Sequence, residues 1–444
     1  MLLTEKEAKQ ITDKILSFVK ADDASVSVQS EKYSHLRFAD NSFLTSGNTV
    51  ERGASITVWI KGKRGSSSTT DLGDASLKAM VKQAEQIAEI SPVDRQYLPT
   101  LGKQKYVESK SFAKDTEDIS LPARAKQIGD ILNKSKSSNV ISAGFHEART
   151  VASGFATKNN NFGFEKRSSA SLSLTARTPD GQSSGYFQRS SVDINDLDTQ
   201  RIAGEAIKKA SEGKNARTIG PGVYTVILEP QAVEDLLGGI NFQFDARRAE
   251  EGRSPFSALQ GKTKLGEKIF DSRLNILSDP WNTQVPASPS AQDGIPAEKL
   301  YLVKNGVVEN LIYSRFWAKE KGKSPTPGPV NTIIESSGET ASIEEMIKAT
   351  KRGLIISHFW YIRSTDPRTA SVTGLTRDGI WMIEDGKIAY PVKNFRFNQS
   401  LIQMLADGNV EMISTPERVG TGNASLLPAF KLKEFNFTSQ SEAV

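Results

Sequence analysis

The stretch GFHEARTVASGF, residues 144–155, admits two readings, and the choice between them decides the fold. Read as a helix, His146-Glu147 opens the pattern H-E-x-x-H, in which two histidines one turn apart hold a metal and the glutamate activates water. Position 150 is Thr150, followed by Val151, so the second histidine is missing. The flanking residues settle the matter. From NVISAGF through the turn KNNNFG to SLSLTART, residues 139–178 alternate apolar and polar side chains, the period of a strand pair. Neighbours in a strand point to opposite faces, so His146 and Glu147 cannot work together as they would on a helix. The motif is a coincidence, and His146 is expected to be a surface or partly buried strand residue.

Outward from there, residues 25–70 repeat the alternation between Asn, Gly and Ser breaks and read as strands and hairpins. Helical spacing marks four segments. The N-terminal one carries Thr4 and Glu7 as a capping box. A second aligns Leu77, Met80, Val81, Ala84 and Ala88 on one face and ends near Pro92. A third, 120–138, has Ser120 as cap and Pro122 in its first turn. The fourth, 198–213, turns Ile202, Ala206, Ile207 and Ala210 inward and stops at Gly213. Residues 97–118 are irregular and read as a loop. NARTIGPG, 215–222, is the best boundary, giving domains 1–215 and 220–444. Beyond it VYTVILEP is a buried strand, QAVEDLLGGINFQFDARRAEEG is helical only in part, and SIEEMIKATKRG is a helix capped by Ser342 and Glu345. The fold class is α+β: an N-terminal mixed sheet with helices, then a strand-rich C-terminal domain.

Composition narrows the function. With 37% hydrophobic and 25% charged residues among 444, the chain has the make-up of a globular protein of two or three domains. No apolar run approaches a membrane span, and the N-terminus lacks the basic start and apolar core of a signal peptide, so a cytoplasmic location is expected. The absence of cysteine removes disulfides, thiol nucleophiles and thiolate zinc sites. Only His35, His146 and His358 remain as imidazoles. The net charge of +5 comes without any run of five like charges, so neither nucleic acid nor membrane is an expected partner. GKRGSSSTT lacks the spacing of a phosphate-binding loop, and no G-x-S-x-G elbow is present.

Several phrases, in order along nearly the whole chain, resemble the TldD/PmbA (TldD/TldE) family. They are LRFADNSFLTSGNTVERGASITVWIKGKRGSSSTTDL (36–72), GPGVYTVILEPQAVEDLL (220–237), LVKNGVVENLIYSRFWAKEKGKSPT (302–326), IEEMIKATKRGLIISHFW (343–360) and WMIEDGKIAYPVKNFRFNQSLIQML (381–405). The resemblance implies a metallopeptidase system of two chain types. TldD-type chains carry H-E-x-x-x-H shortly after the opening C-terminal strand, and a cysteine ligand near the C-terminus; TldE/PmbA-type chains lack that motif. Laid on this pattern, Gly238 and Gly239 fall at the His-Glu pair, Gln243 at the second histidine, and the cysteine within 414–422, where there is none. GGINFQFD offers one carboxylate, Asp245, and no imidazole, and a glycine cannot serve as a general base.

The resemblance therefore implies a TldE/PmbA-type subunit with no catalytic residue, metal or cofactor of its own. Zinc is expected in a TldD-type H-E-x-x-x-H partner, joined in a heterodimer or larger assembly acting on unfolded peptides. A homodimer is the alternative assembly. Candidate substrate-channel residues are Phe242, Gln243, Phe244, Arg247 and Arg248 from the degenerate motif region, and His358, Trp360, Tyr361 and Arg363 from SHFWYIRS. Two other readings stay open: a self-sufficient hydrolase with a rebuilt site, and a peptide-binding or regulatory module without proteolysis.

Overall fold

The structure, a computed structural model, describes residues 2–422 and 424–441. The N-terminal half runs α1 (Glu5–Ser17), β1 (Asp23–Ala39), β2 (Ser42–Ile60), β3 (Lys63–Thr69), α2 (Asp74–Ile90), α3 (Lys114–Asp118), α4 (Leu121–Ser137), β4 (Ile141–Thr157), β5 (Phe162–Arg177), β6 (Ser184–Ser191) and α5 (Thr199–Glu212). Its strands form one antiparallel sheet in the order β3-β2-β1-β4-β5-β6. The helices α1, α2, α4 and α5 cover one face. On β4 the alternation sends His146, Ala148, Ala152 and Ala156 into the helix-covered face, and Glu147, Arg149, Val151 and Ser153 to the other.

The helices form where spacing and caps agree. On α2 the buried residues are Leu77, Met80, Val81, Ala84 and Ala88. On α1 the Thr4 hydroxyl accepts from the Glu7 amide while the Glu7 carboxylate accepts from the Thr4 amide at 2.8 Å. Thr4→Ala is expected to cost about 1 kcal/mol, read as a lower denaturant midpoint with unchanged slope.

Two local expectations need correction. The loop at 97–118 closes with α3, whose Thr116 hydroxyl donates to the Val192 carbonyl and accepts from the Ile194 amide, both at 2.8 Å; this long-range anchor has no local signature. His146 is not at the surface but fully buried (0% exposed). Its strand neighbours across the sheet are Leu36 and Leu172.

The C-terminal half runs β7 (Gly222–Leu228), α6 (Pro230–Leu237), α7 (Ala246–Glu250), β8 (Leu274–Ser278), β9 (Leu300–Lys304), β10 (Val307–Val308), α8 (Arg315–Glu320), β11 (Ile333–Ser336), α9 (Ile343–Lys348), β12 (Arg352–Ile356) and β13 (Phe359–Asp366). It continues through β14 (Ser371–Thr376), β15 (Ile380–Glu384), β16 (Lys387–Pro391), β17 (Phe395–Ser400), α10 (Leu401–Met404), β18 (Val410–Ile413), β19 (Glu417–Val419), β20 (Ser425–Leu427) and β21 (Phe430–Gln440). A nine-stranded sheet runs β13-β14-β17-β21-β7-β12-β15-β16, with β18 also on β21; a six-stranded sheet runs β10-β9-β8-β11-β20-β19. Hairpins β9–β10 and β15–β16 turn on Asn305-Gly306 and Asp385-Gly386, with positive φ at both residues, as the tight turn that matches strand twist requires. One large apolar core unites both sheets, with Phe359, Phe395, Phe397, Phe435 and Phe437 packed ring to ring. The chain is thus α+β, with several sheets. Among the described residues no helix is long and apolar enough to cross a membrane.

The halves meet where β6 faces β19 and the β14–β15 connection. Arg189 pairs with Glu417 at 2.8 Å, the Ser190 hydroxyl donates to the Gly420 carbonyl at 2.7 Å, and the Ser184 hydroxyl donates to Asp378 at 2.6 Å.

Candidate functional site at the end of α6

Helix α6 starts on Pro230, whose fixed φ suits the first helical position. Ala232, Val233, Leu236 and Leu237 enter the core. This leaves Gln231, Glu234 and Asp235 to build a polar cluster at the seam between the halves. Asp235 accepts from the Phe359 amide at 2.8 Å, and the same oxygen lies 2.7 Å from Nδ1 of His358. Gln231 donates its amide to the other Asp235 oxygen at 2.9 Å. The His358 ring stacks on Tyr186 of β6, with centroids 4.6 Å apart. The cluster therefore draws on both halves of the chain.

The same Gln231 amide nitrogen reaches Glu234, at 3.5 Å. The Glu234 carboxylate lies between Gly238, at the end of α6, and Gly420, just after β19. A methyl group added to Gly238 would come 2.8 Å from Glu234 Oε1, and one added to Gly420 3.1 Å from it. Gly420 also holds φ at +83°, where other residues are strained. Burial, then the charge of Asp235, pushes the Glu234 carboxyl up to about 7. For His358, burial opposes the charged ring, but the charge and hydrogen bond of Asp235 outweigh it and raise its pKa. Burial, then the charges of Asp235 and Asp378, raises Tyr186. The cluster thus holds a carboxyl that titrates near neutrality beside a His-Asp pair, the elements of proton transfer.

The residues at the expected metal position do not fit zinc. Gly238 and Gly239 have no side chains, and Gln243 presents an amide whose Oε1 is buried without a hydrogen-bond partner. Asp245 is committed to capping α7, accepting from the Arg248 amide at 2.7 Å. His358 already has its Nδ1 against Asp235. Among the described residues no three His, Asp or Glu side chains converge as ligands.

The other candidates scatter. Phe244 closes a short 3-10 helix, is fully buried and stacks on Phe256 at 4.4 Å, so it lines no channel; this corrects the expectation. Phe242, two residues earlier, is 78% exposed. Arg247 pairs with Glu251 at 2.9 Å and lies over the Trp317 ring. Trp360 sits under the Arg377 guanidinium, 3.6 Å from the ring centre. Tyr361 (φ +54°) and Arg363 are exposed on β13, the edge strand of the nine-stranded sheet. Of the named candidates, the structure gathers His358, Gly238 and, next to it, Gly239. Glu234, Asp235, Tyr186 and Gly420 were missed; only the adjacent acids in the otherwise apolar AVEDLL carried a signal.

Comparison with known proteins follows this geometry. Residues 24–88 match the family profile described as PmbA/TldA metallopeptidase domain 1, and residues 221–439 that of the PmbA/TldA metallopeptidase C-terminal domain, together more than half of the chain. The chain belongs to the TldD/PmbA family. Among its relatives is the Escherichia coli O157:H7 metalloprotease PmbA, 24% identical over 408 residues, covering 85% of this chain and 84% of that protein. An uncharacterized protein of Methanocaldococcus jannaschii, MJ0231, is 24% identical over 324 residues, covering 71% and 75%. The crystal structure of TldE from Thermococcus kodakarensis superposes with a TM-score of 0.86 over 97% of this chain and 99% of that one, at 17% identity, a likeness of fold. In this chain the segment around Gly238 and the segment around Gly420 come together in space. What lies between them here is the Glu234 carboxylate.

Proposed function

We propose that this chain is the non-catalytic, TldE/PmbA-type subunit of a cytoplasmic zinc metallopeptidase that acts on unfolded or extended peptides. The catalytic zinc would reside in a TldD-type partner. The observation that carries this reading is the filling of the motif region: Gly238, Gly239 and Gln243 supply no metal ligand set, and Glu234 occupies the space against Gly238 and Gly420. Substrate handling is supported by β13, which among the described residues pairs with β14 alone and leaves Tyr361, Arg363, Ser364 and Thr365 exposed on the sheet edge. An extended peptide gains main-chain hydrogen bonds by adding to such an edge.

A second reading, hydrolysis by this chain alone, is favoured by one observation: Glu234, near-neutral in pKa, flanks the Asp235–His358 pair. A single assay separates the two. An unfolded, unmodified peptide is offered to the purified chain with and without zinc, and then with a TldD-type paralogue added. Cleavage is expected only in the mixture. Cleavage by this chain alone, with Glu234→Gln abolishing it, would overturn the accessory role.

A further inference from the structure

Between the open face of the N-terminal sheet and the C-terminal half lies a cavity of about 290 Å³, separate from the Glu234 cluster. Three guanidinium groups line it: Arg149 of β4, Arg167 of β5 and Arg418 of β19. No carboxylate lines it among the described residues. Arg149 and Arg167 have acidic neighbours, Glu31 at 2.8 Å and Glu165 at 3.5 Å. Arg418 has none. Its Nε donates to the Ser190 hydroxyl at 3.3 Å and its NH1 to the Gln284 carbonyl, both neutral acceptors. Its neighbour Glu417 turns away, to Arg189 and Arg201. Burial alone lowers Arg418 to about 10, a guanidinium partly withdrawn from water with no counter-charge.

A partly buried charge without an opposite is costly in the free protein, and an anion in the cavity would offset that cost. Guanidinium forks match the two oxygens of a carboxylate. The volume sits at the small end of ligand pockets, roughly 300–1,000 Å³, room for a chain end rather than a run of residues. Position adds to chemistry. The segment that supplies Arg418 and Gly422 to the cavity places Gly420 against Glu234, so the cavity adjoins the candidate site.

We infer that this cavity binds the C-terminal carboxylate of a peptide, held by Arg418 with Arg149 and Arg167 opposite. The inference rests on the peptide-handling function proposed above and names the part of the peptide that this chain recognises. The test uses the full chain and an N-terminally fluorescein-labelled, unstructured decapeptide of Gly, Ser and Ala. The decapeptide is made as the free acid, as the C-terminal amide, and as an amide carrying an internal Glu. Binding is followed by fluorescence polarisation. The free acid is expected to bind about tenfold or more tightly than the plain amide, since a hydrogen-bonded charge contributes at least that much. Both Arg418→Gln and Arg167→Gln should lose that preference. The Arg167 side chain is partly exposed and, among the described residues, its ion pair is with Glu165, so its variant guards against a folding defect at Arg418. Equal binding of acid and amide would overturn the inference while leaving peptide handling intact. An internal-Glu amide that binds like the free acid would replace the chain end by an acidic side chain and also overturn it. No binding of any form would overturn it too, and the cleavage assay in the mixture then decides separately whether the subunit role stands.

Discussion

Replacing His146 by leucine is expected to make the protein lose about 3 kcal/mol less stability than the wild type between pH 7 and pH 4. The ring is fully buried, and neither nitrogen has a hydrogen-bond partner among the described residues. Burial, then the charge of the nearby Arg124, depresses its pKa from 6.5 to about 4. The fold therefore holds the neutral ring. Its contribution is complete above pH 6.5, where the unfolded chain is also neutral, and drains away as the pH falls through 6.5 towards 4. Leucine cannot be protonated and fits between Leu36 and Leu172. Denaturant unfolding at several pH values reads the difference; parallel curves for variant and wild type would show that His146 titrates alike in the folded and unfolded chain. The activity of an assembled peptidase should be unchanged, because the residue faces the helices and not the open face of the sheet.

The second large effect has the opposite sign along the pH axis. Glu234→Gln is expected to stabilise the protein by about 2 kcal/mol at pH 8 and by almost nothing at pH 4.5, after allowance for the part of the carboxyl that still meets solvent. Burial and Asp235 raise this group from 4.5 to about 7. Its protonated form belongs to the fold, so its contribution is full below pH 4.5 and is lost as the pH climbs through 7. Glutamine keeps the shape and the neutrality at every pH. Thermal melts at the two pH values suffice, and an equal effect at both would mean that the fold leaves the Glu234 carboxyl at its ordinary pKa. In the wild type the two slopes oppose one another between pH 4.5 and 6.5. Only the single variants separate them, and the double variant should show the flattest profile.

Much of the fold was legible in the sequence because its signals are local. The capping boxes at Thr4 and Ser342, the apolar faces of α2 and α5, and the alternation through β4 and β5 each depend on residues a few positions apart. The candidate site was legible only in part, since its contacts are distant. His358 and Gly238 were named, but their meeting through Asp235 and Glu234 depends on how β13 and α6 pack. Tyr186 arrives from the other half of the chain. Phe242 and Phe244 looked alike in sequence. A 3-10 helix of three residues per turn sends them to different environments, one to solvent and one to the core, which alternation could not reveal. Arg418 drew no notice, because an arginine is remarkable only when its acid is missing, and that is a property of space.

The strand order of the nine-stranded sheet also sets a timetable for the ribosome. The strand β21 lies between β17 and β7, and β7 is made about 200 residues earlier. The N-terminal sheet has all its strands by Ser191 and can close while the chain is still emerging. The other cannot: β7 must wait, one edge unpaired, until the chain has run on by about 200 residues and β21 has left the tunnel. Pairings so distant in sequence form slowly. During that wait the C-terminal half presents an apolar, open-edged strand, which makes it the half of the newborn protein that most needs a chaperone.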